Sequence, residues 1–163
     1  MPGPEMKPTE RGSGRDGYGR WNILCVSLLL LAAVGCTKQA PEYELIAPVG
    51  NHIKIPVDTV NDGKVHFYTY KYNGKNINFF VRTDGEKRLH THFDACWSCY
   101  KYKLGFVVEG DHVRCIACNF EYKLADEFWD FIGACAPIPL RSKVRDGFVE
   151  IELEAVQKGE RLF

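Results

Sequence analysis

Cys96, Cys99, Cys115 and Cys118 form two Cys-x-x-Cys pairs separated by fifteen residues. Each pair is able to close a tight turn with both sulfurs on one side. Two such turns brought face to face supply four thiolates in a tetrahedron around one ion or a small cluster. The spacing lies within the two-plus-two range of cysteine metal sites, and the competing readings are a disulfide or free thiols. Thiolates suit iron–sulfur clusters, mononuclear iron, zinc and copper(I), and spacing alone does not separate them.

Other residues bear on the same chemistry. Cys135 is the odd cysteine: a further metal ligand, a redox partner of the site, or an inert packed side chain. His90, His92 and Asp94 lie two apart just before Cys96, so on a strand they share one side. That trio reads either as a capture site for a metal ion or as an exposed polar strand face. Trp97, Tyr100 and Tyr102 are expected to shield the thiolates from water.

The elements that must position these groups read mostly as strands. Val65 to Tyr72 is rich in aromatic and β-branched residues, and Asn73-Gly74 follows as a strong hairpin signal. Asn76 to Arg82 reads as the returning strand. Asp84-Gly85 then turns the chain into a third strand, Lys87 to Phe93, which delivers it into Cys96. A second hairpin, Gly105 to Val108 and His112 to Cys115, carries the other pair. Glu121 to Phe131 includes a short helix through Asp126-Glu127, and Pro137 and Pro139 rule out a helix beside Cys135. Phe148 to Leu153 alternates as a last strand before a polar tail. The predicted fold is a mostly β single domain of hairpins with an inserted two-knuckle ribbon built on the four cysteines.

The N-terminus sets the compartment. Lys7, Arg11, Arg15 and Arg20 precede an apolar run from Ile23 to Val34 that is too short to span a bilayer and fits a signal peptide. The run ends in Ala33-Val34-Gly35-Cys36, which resembles a bacterial lipobox cleaved before Cys36. The predicted organisation is therefore a signal peptide over 1–35, a lipidated Cys36 and tether over 36–47, and the metal-binding domain over 48–163. Lipid at Cys36 would hold the domain to a membrane of the cell envelope, outside the cytoplasm.

The chain carries 21 Lys+Arg against 21 Asp+Glu, a formal net charge of +0. With no broad basic field, nucleic acid is not an expected partner despite the aromatic and basic interleaving at 66–72 and 97–103. No acid/base pair, triad, phosphate-cradling glycine loop or small-molecule pocket is visible, so the expected role is non-catalytic.

A longer succession of motifs carries a resemblance. Asn78-Phe79-Phe80-Val81, then Phe93-Asp94-Ala95-Cys96-x-x-Cys99-Tyr100, then Gly105-Phe106-x-x-Glu109-Gly110-Asp111-x-x-x-Cys115-x-x-Cys118, and finally Gly133-x-Cys135-x-Pro137-Ile138-Pro139-Leu140 resemble the FtrD-like family of membrane iron–sulfur-containing proteins. The likeness runs over roughly residues 60 to 155. It implies an iron–sulfur centre at the four cysteines, with Cys135 inside the family motif. It also implies a place beside an iron permease and periplasmic iron-binding proteins, where an electron-transfer role has been proposed for such proteins.

Overall fold

Alternation along the strands from Val65 to Cys96 places apolar side chains on both faces, and a sheet of that kind must be covered twice. In the computed structural model this sheet is the centre of the fold, with one core on each side. The structure describes residues 41–124 and 135–163, which belong to the second of two compact units, Ala40–Phe163. The expected signal peptide and Cys36 lie outside the described residues. So do the expected helix at Asp126-Glu127 and the Gly133-Ala134 step before Cys135.

The described strands are β1 (Glu44–Leu45), β2 (His52–Pro56), β3 (His66–Tyr72), β4 (Lys75–Thr83), β5 (Leu89–Cys96), β6 (Phe106–Glu109), β7 (His112–Cys115), β8 (Glu121–Lys123), β9 (Pro137–Pro139), β10 (Lys143–Arg145) and β11 (Phe148–Glu152). A one-turn helix α1 (Val57–Val60) follows β2, and helix α2 (Leu153–Gln157) with a 3-10 turn (Lys158–Leu162) closes the chain. Three sheets result among the described residues, in the orders β1-β3-β4-β5-β9, β10-β11-β2 and β6-β7-β8. The fold is mostly β, with the four cysteines on the last of these sheets and at its junction with the first.

The predicted meander is present as β3-β4-β5. Asn73 and Gly74 both take positive φ, at 48° and 75°, and Tyr72 pairs with Lys75 across the two-residue turn. This is the backbone a tight hairpin needs. Tyr68, Tyr70, Ile77, Phe79, Val81, Phe93 and Ala95 enter one core, joined by Ile53, Ile55, Val149 and Ile151 of the β2-β10-β11 sheet. Phe67 and Phe80, on the opposite face of the same strands, enter a second core with Phe106, Val113, Cys96 and Cys115. The metal ribbon is therefore mounted on the back of the central sheet.

Several expectations are corrected. The tether does not run to Ala47: Glu44 and Leu45 already pair in parallel with Tyr68 and Thr69, ahead of Pro48 where the fold was expected to begin. The stretch after β11 is not a polar tail, since Val156 and Leu162 are buried and Gly159 lies against the Phe93 ring. The exclusion of a helix beside Cys135 holds: Pro137 and Pro139 sit in a short strand that, among the described residues, pairs with β5 alone. Proline, which has no N–H to give, is tolerated in that place.

Candidate metal centre

Each cysteine pair occupies a tight turn. At the end of β5 the Cys99 amide donates to the Cys96 carbonyl at 3.1 Å, and the Tyr102 amide donates to the Cys99 carbonyl at 2.9 Å. At the end of β7 the Asn119 amide donates to the Cys115 carbonyl at 2.9 Å, and the Cys115 amide donates to the Phe120 carbonyl at 2.9 Å. Asn119 closes that turn at φ 59°, and its side-chain oxygen accepts from Arg114 at 2.6 Å. The same buried Arg114 grips Glu109 of the partner strand with two nitrogens, at 2.8 and 2.6 Å. This bidentate clamp ties the second turn to the β6-β7 hairpin that carries it.

The two turns meet. The sulfurs of Cys96, Cys99, Cys115 and Cys118 all lie within 4.8 Å of one another. Four thiolates about 2.3 Å from one tetrahedral ion would stand about 3.8 Å apart, so the set needs to contract by only about 1 Å to hold one. Backbone amides are already aimed at the sulfurs: those of Ala117 and Cys118 at Cys115, and that of Phe120 at Cys118. Such donors stabilise thiolate over thiol. Cys96 and Cys115 are buried, Cys99 is half-buried and Cys118 is exposed. Behind them, Asp94, Ala95, Gly105 and Leu162 help close a slot too narrow for water.

Burial first, and then crowding, shifts the protonation of the set. Burial pushes Cys99 well above the ordinary thiol range, and hydrogen bonds with Cys118 and Cys96 add to this. Burial also pushes Cys115 up to about 11, against the pull of its two amides. Burial acts the same way on Cys118, but there the Phe120 amide and the neighbouring thiols of Cys115, Cys99 and Cys135 outweigh it and lower the value. Four thiols this close do not all ionise without a compensating positive charge, and a metal cation supplies one. The donor set, its spacing and its amides all fit a thiophilic metal.

The other predicted residues are placed differently. Cys135 is half-buried and packs against the second core, with its thiol in hydrogen-bonding contact with Cys118 and Cys96. His90, His92 and Asp94 are not an exposed polar face, being only 5%, 3% and 3% exposed. The ribbon and its core cover that side of β5. His90 meets Asp84 at 3.0 Å, His92 stacks on Phe80, and Asp94 accepts from the Tyr43 hydroxyl and, at 2.7 Å, from the Phe106 amide. None of the three joins the sulfur group. Of the expected shielding residues Trp97, Tyr100 and Tyr102, which are 42%, 42% and 58% exposed, Tyr100 borders the slot beside Cys96, Cys99 and Cys115, while the buried wall is formed by Phe67, Phe80, Phe106 and Val113.

Sequence reasoning missed Tyr43 and the structural use of Asp94. Their contact joins residues 51 positions apart, and no local pattern announces it. A cleft of 510 Å³ lined by Leu140, Arg141, Ser142, Glu150, Glu152 and Lys158, among others, contains none of the cysteines.

Two thiolate turns closing on one point define a cysteine-ligated metal protein. The chain belongs to the FtrD-like family, described as membrane iron-sulfur containing proteins, whose model matches residues 60–163. Among solved structures it is similar to the quaternary ammonium Rieske monooxygenase CntA in complex with an inhibitor, at 16% identity and a TM-score of 0.35. That match covers 53% of this chain and 27% of the other. No curated protein matches the chain. Among the described residues no helix is long and apolar enough to cross a membrane.

Proposed function

We propose that this protein is a membrane-anchored, extracytoplasmic iron-binding protein that serves as a non-catalytic electron-transfer or metal-handling accessory of an iron or other metal transport system. The observation that carries the reading is the convergence of four sulfurs within 4.8 Å on two turns whose amides point at them. Membership of a membrane iron–sulfur family supports iron over the other thiophilic metals. Bound iron or an iron–sulfur cluster would supply a one-electron couple. The chain's contribution is to bury Cys96 and Cys115 against an apolar wall and to leave Cys118 at the surface. A site dry on one side and open on the other suits exchange with a partner such as a permease or a periplasmic iron-binding protein. Lipid at Cys36 would keep it within reach of that partner.

A second reading is a structural zinc ribbon within a membrane complex. It is favoured by the position of Cys96 and Cys115 at the ends of β5 and β7, where an ion would staple the ribbon to the central sheet. A colourless thiol–disulfide module is the third. Anaerobic purification separates them, with iron, zinc and acid-labile sulfide counted per chain beside the visible spectrum. Iron with thiolate-to-iron absorption is expected. A colourless zinc protein overturns the electron-transfer reading in favour of the ribbon, and a metal-free protein with titratable thiols leaves only the thiol–disulfide module.

A further inference from the structure

Five thiols are gathered where four close a site. Cys135 stands outside the mutually close set, yet it contacts two of its members, Cys118 and Cys96. The backbone holds it there. The Trp97 amide donates to the Ala136 carbonyl at 3.2 Å, and Pro137 pairs with Cys96 between β9 and β5. Cys135 is thus fixed to the first cysteine turn by the sheet and reaches the second through Cys118. Of the four cysteines in the set, Cys118 is the exposed one, so it is the first that an oxidant or a competing thiol from a partner meets.

We propose that Cys135 is a reserve ligand that takes the place of Cys118 on the metal. The inference rests on the reading that the four cysteines bind metal. In the exchange the bond from the metal to Cys118 Sγ breaks and one to Cys135 Sγ forms. The proton of the Cys135 thiol passes to Cys118, so four thiolates and the same total charge remain. A site of only four thiols opens whenever one is withdrawn, whereas a fifth already in contact keeps the ion fully coordinated. The exposed ligand is then free to react or to engage another protein while the metal stays bound. The exchange falls on Cys118 because, of the two members that Cys135 contacts, Cys118 is exposed and Cys96 is buried.

Cobalt(II) is a suitable probe, since its thiolate charge-transfer absorption grows with each sulfur bound. The full chain, reduced and anaerobic, is titrated with cobalt as wild type, Cys118→Ser, Cys115→Ser and the double variant Cys118→Ser/Cys135→Ser. Cys118→Ser is expected to match the wild-type absorption per bound cobalt. The double variant and Cys115→Ser should each lose about one quarter of it, the share of one thiolate in four, and bind at least tenfold more weakly. A Cys118→Ser chain that loses as much as the double variant overturns the exchange, and so does a double variant that loses nothing. A wild type without cobalt–thiolate absorption overturns the metal reading itself, and the exchange with it.

Discussion

Asp94 shows how one buried carboxylate holds the site against the rest of the chain. It accepts from Tyr43 ahead of the sheet and from the Phe106 amide at the start of β6, and Gly105 lies directly against it. A Cβ at Gly105 would stand 2.2 Å from Asp94 Oδ2, and the residue has φ +68°. Gly105→Ala should therefore destabilise the domain by about 2 kcal/mol or more, combining backbone strain with displacement of a buried carboxylate. Urea unfolding with wild-type stability would rule out that tight seat. Burial pushes the Asp94 carboxyl up to about 6, against the lowering effect of its Tyr43 and Phe106 hydrogen bonds. A carboxyl raised in the folded state favours folding most fully below its ordinary value near pH 4, and that contribution is lost as pH rises through about 6. The amount lost is roughly 3 kcal/mol. Asp94→Asn, which keeps the shape without the charge, should flatten the stability profile between pH 4 and 7. An unchanged slope would show that Asp94 is not the group responsible.

At the scale of elements, β5 is the piece on which everything is hung. It pairs with β4 and β9, ends in the first cysteine turn, and presents Phe93 to the C-terminal 3-10 turn. A Cβ on Gly159 would lie 2.3 Å from the Phe93 ring. Gly159→Ala should cost about 1–3 kcal/mol by overpacking, read as a lowered midpoint in thermal unfolding. An equal or higher midpoint would mean that the terminal turn is not seated on Phe93. The ribbon β6-β7-β8 depends on the site more than the meander does, because the meander has the larger core and long register pairings of its own. Metal removal should accordingly raise amide exchange in residues 96–123 by tenfold or more and leave β3 and β4 protected. Uniform loss of protection would show that the two parts unfold as one.

For the whole molecule, the proposed lipid anchor and the metal site are expected to act independently. Cys36→Ala is expected to release the domain from the membrane fraction or to block its maturation, while the metal content of purified protein stays at one site's worth. Mature protein recovered unchanged on membranes after that substitution would overturn the lipid anchor. The first ordered strand begins at Glu44, and Tyr43 already contacts Phe67 and Asp94. Were Cys36 to carry the proposed lipid, a reach of at most about 3.6 Å per residue would set about 25 Å as the upper limit between it and Tyr43.

Features whose physics is local are written directly in the residue order. The cysteine turns are two residues wide, the Asn73-Gly74 hairpin needs only two positive φ angles, and the alternation of β3 to β5 follows from a side-chain period of two. For those reasons the mostly β class, the central meander and the four-thiol set are legible in the sequence. Contacts between distant segments came from the packing of the folded chain. It turned the polar run His90, His92 and Asp94 inward beneath the ribbon, left Trp97, Tyr100 and Tyr102 partly exposed, and brought Tyr43 and the C-terminal turn against β5. It also set Cys135 beside Cys118. Each of these outcomes depends on which faces of the central sheet find a cover, and a short strand such as β1 or β9 carries too little local pattern to name its partner in advance.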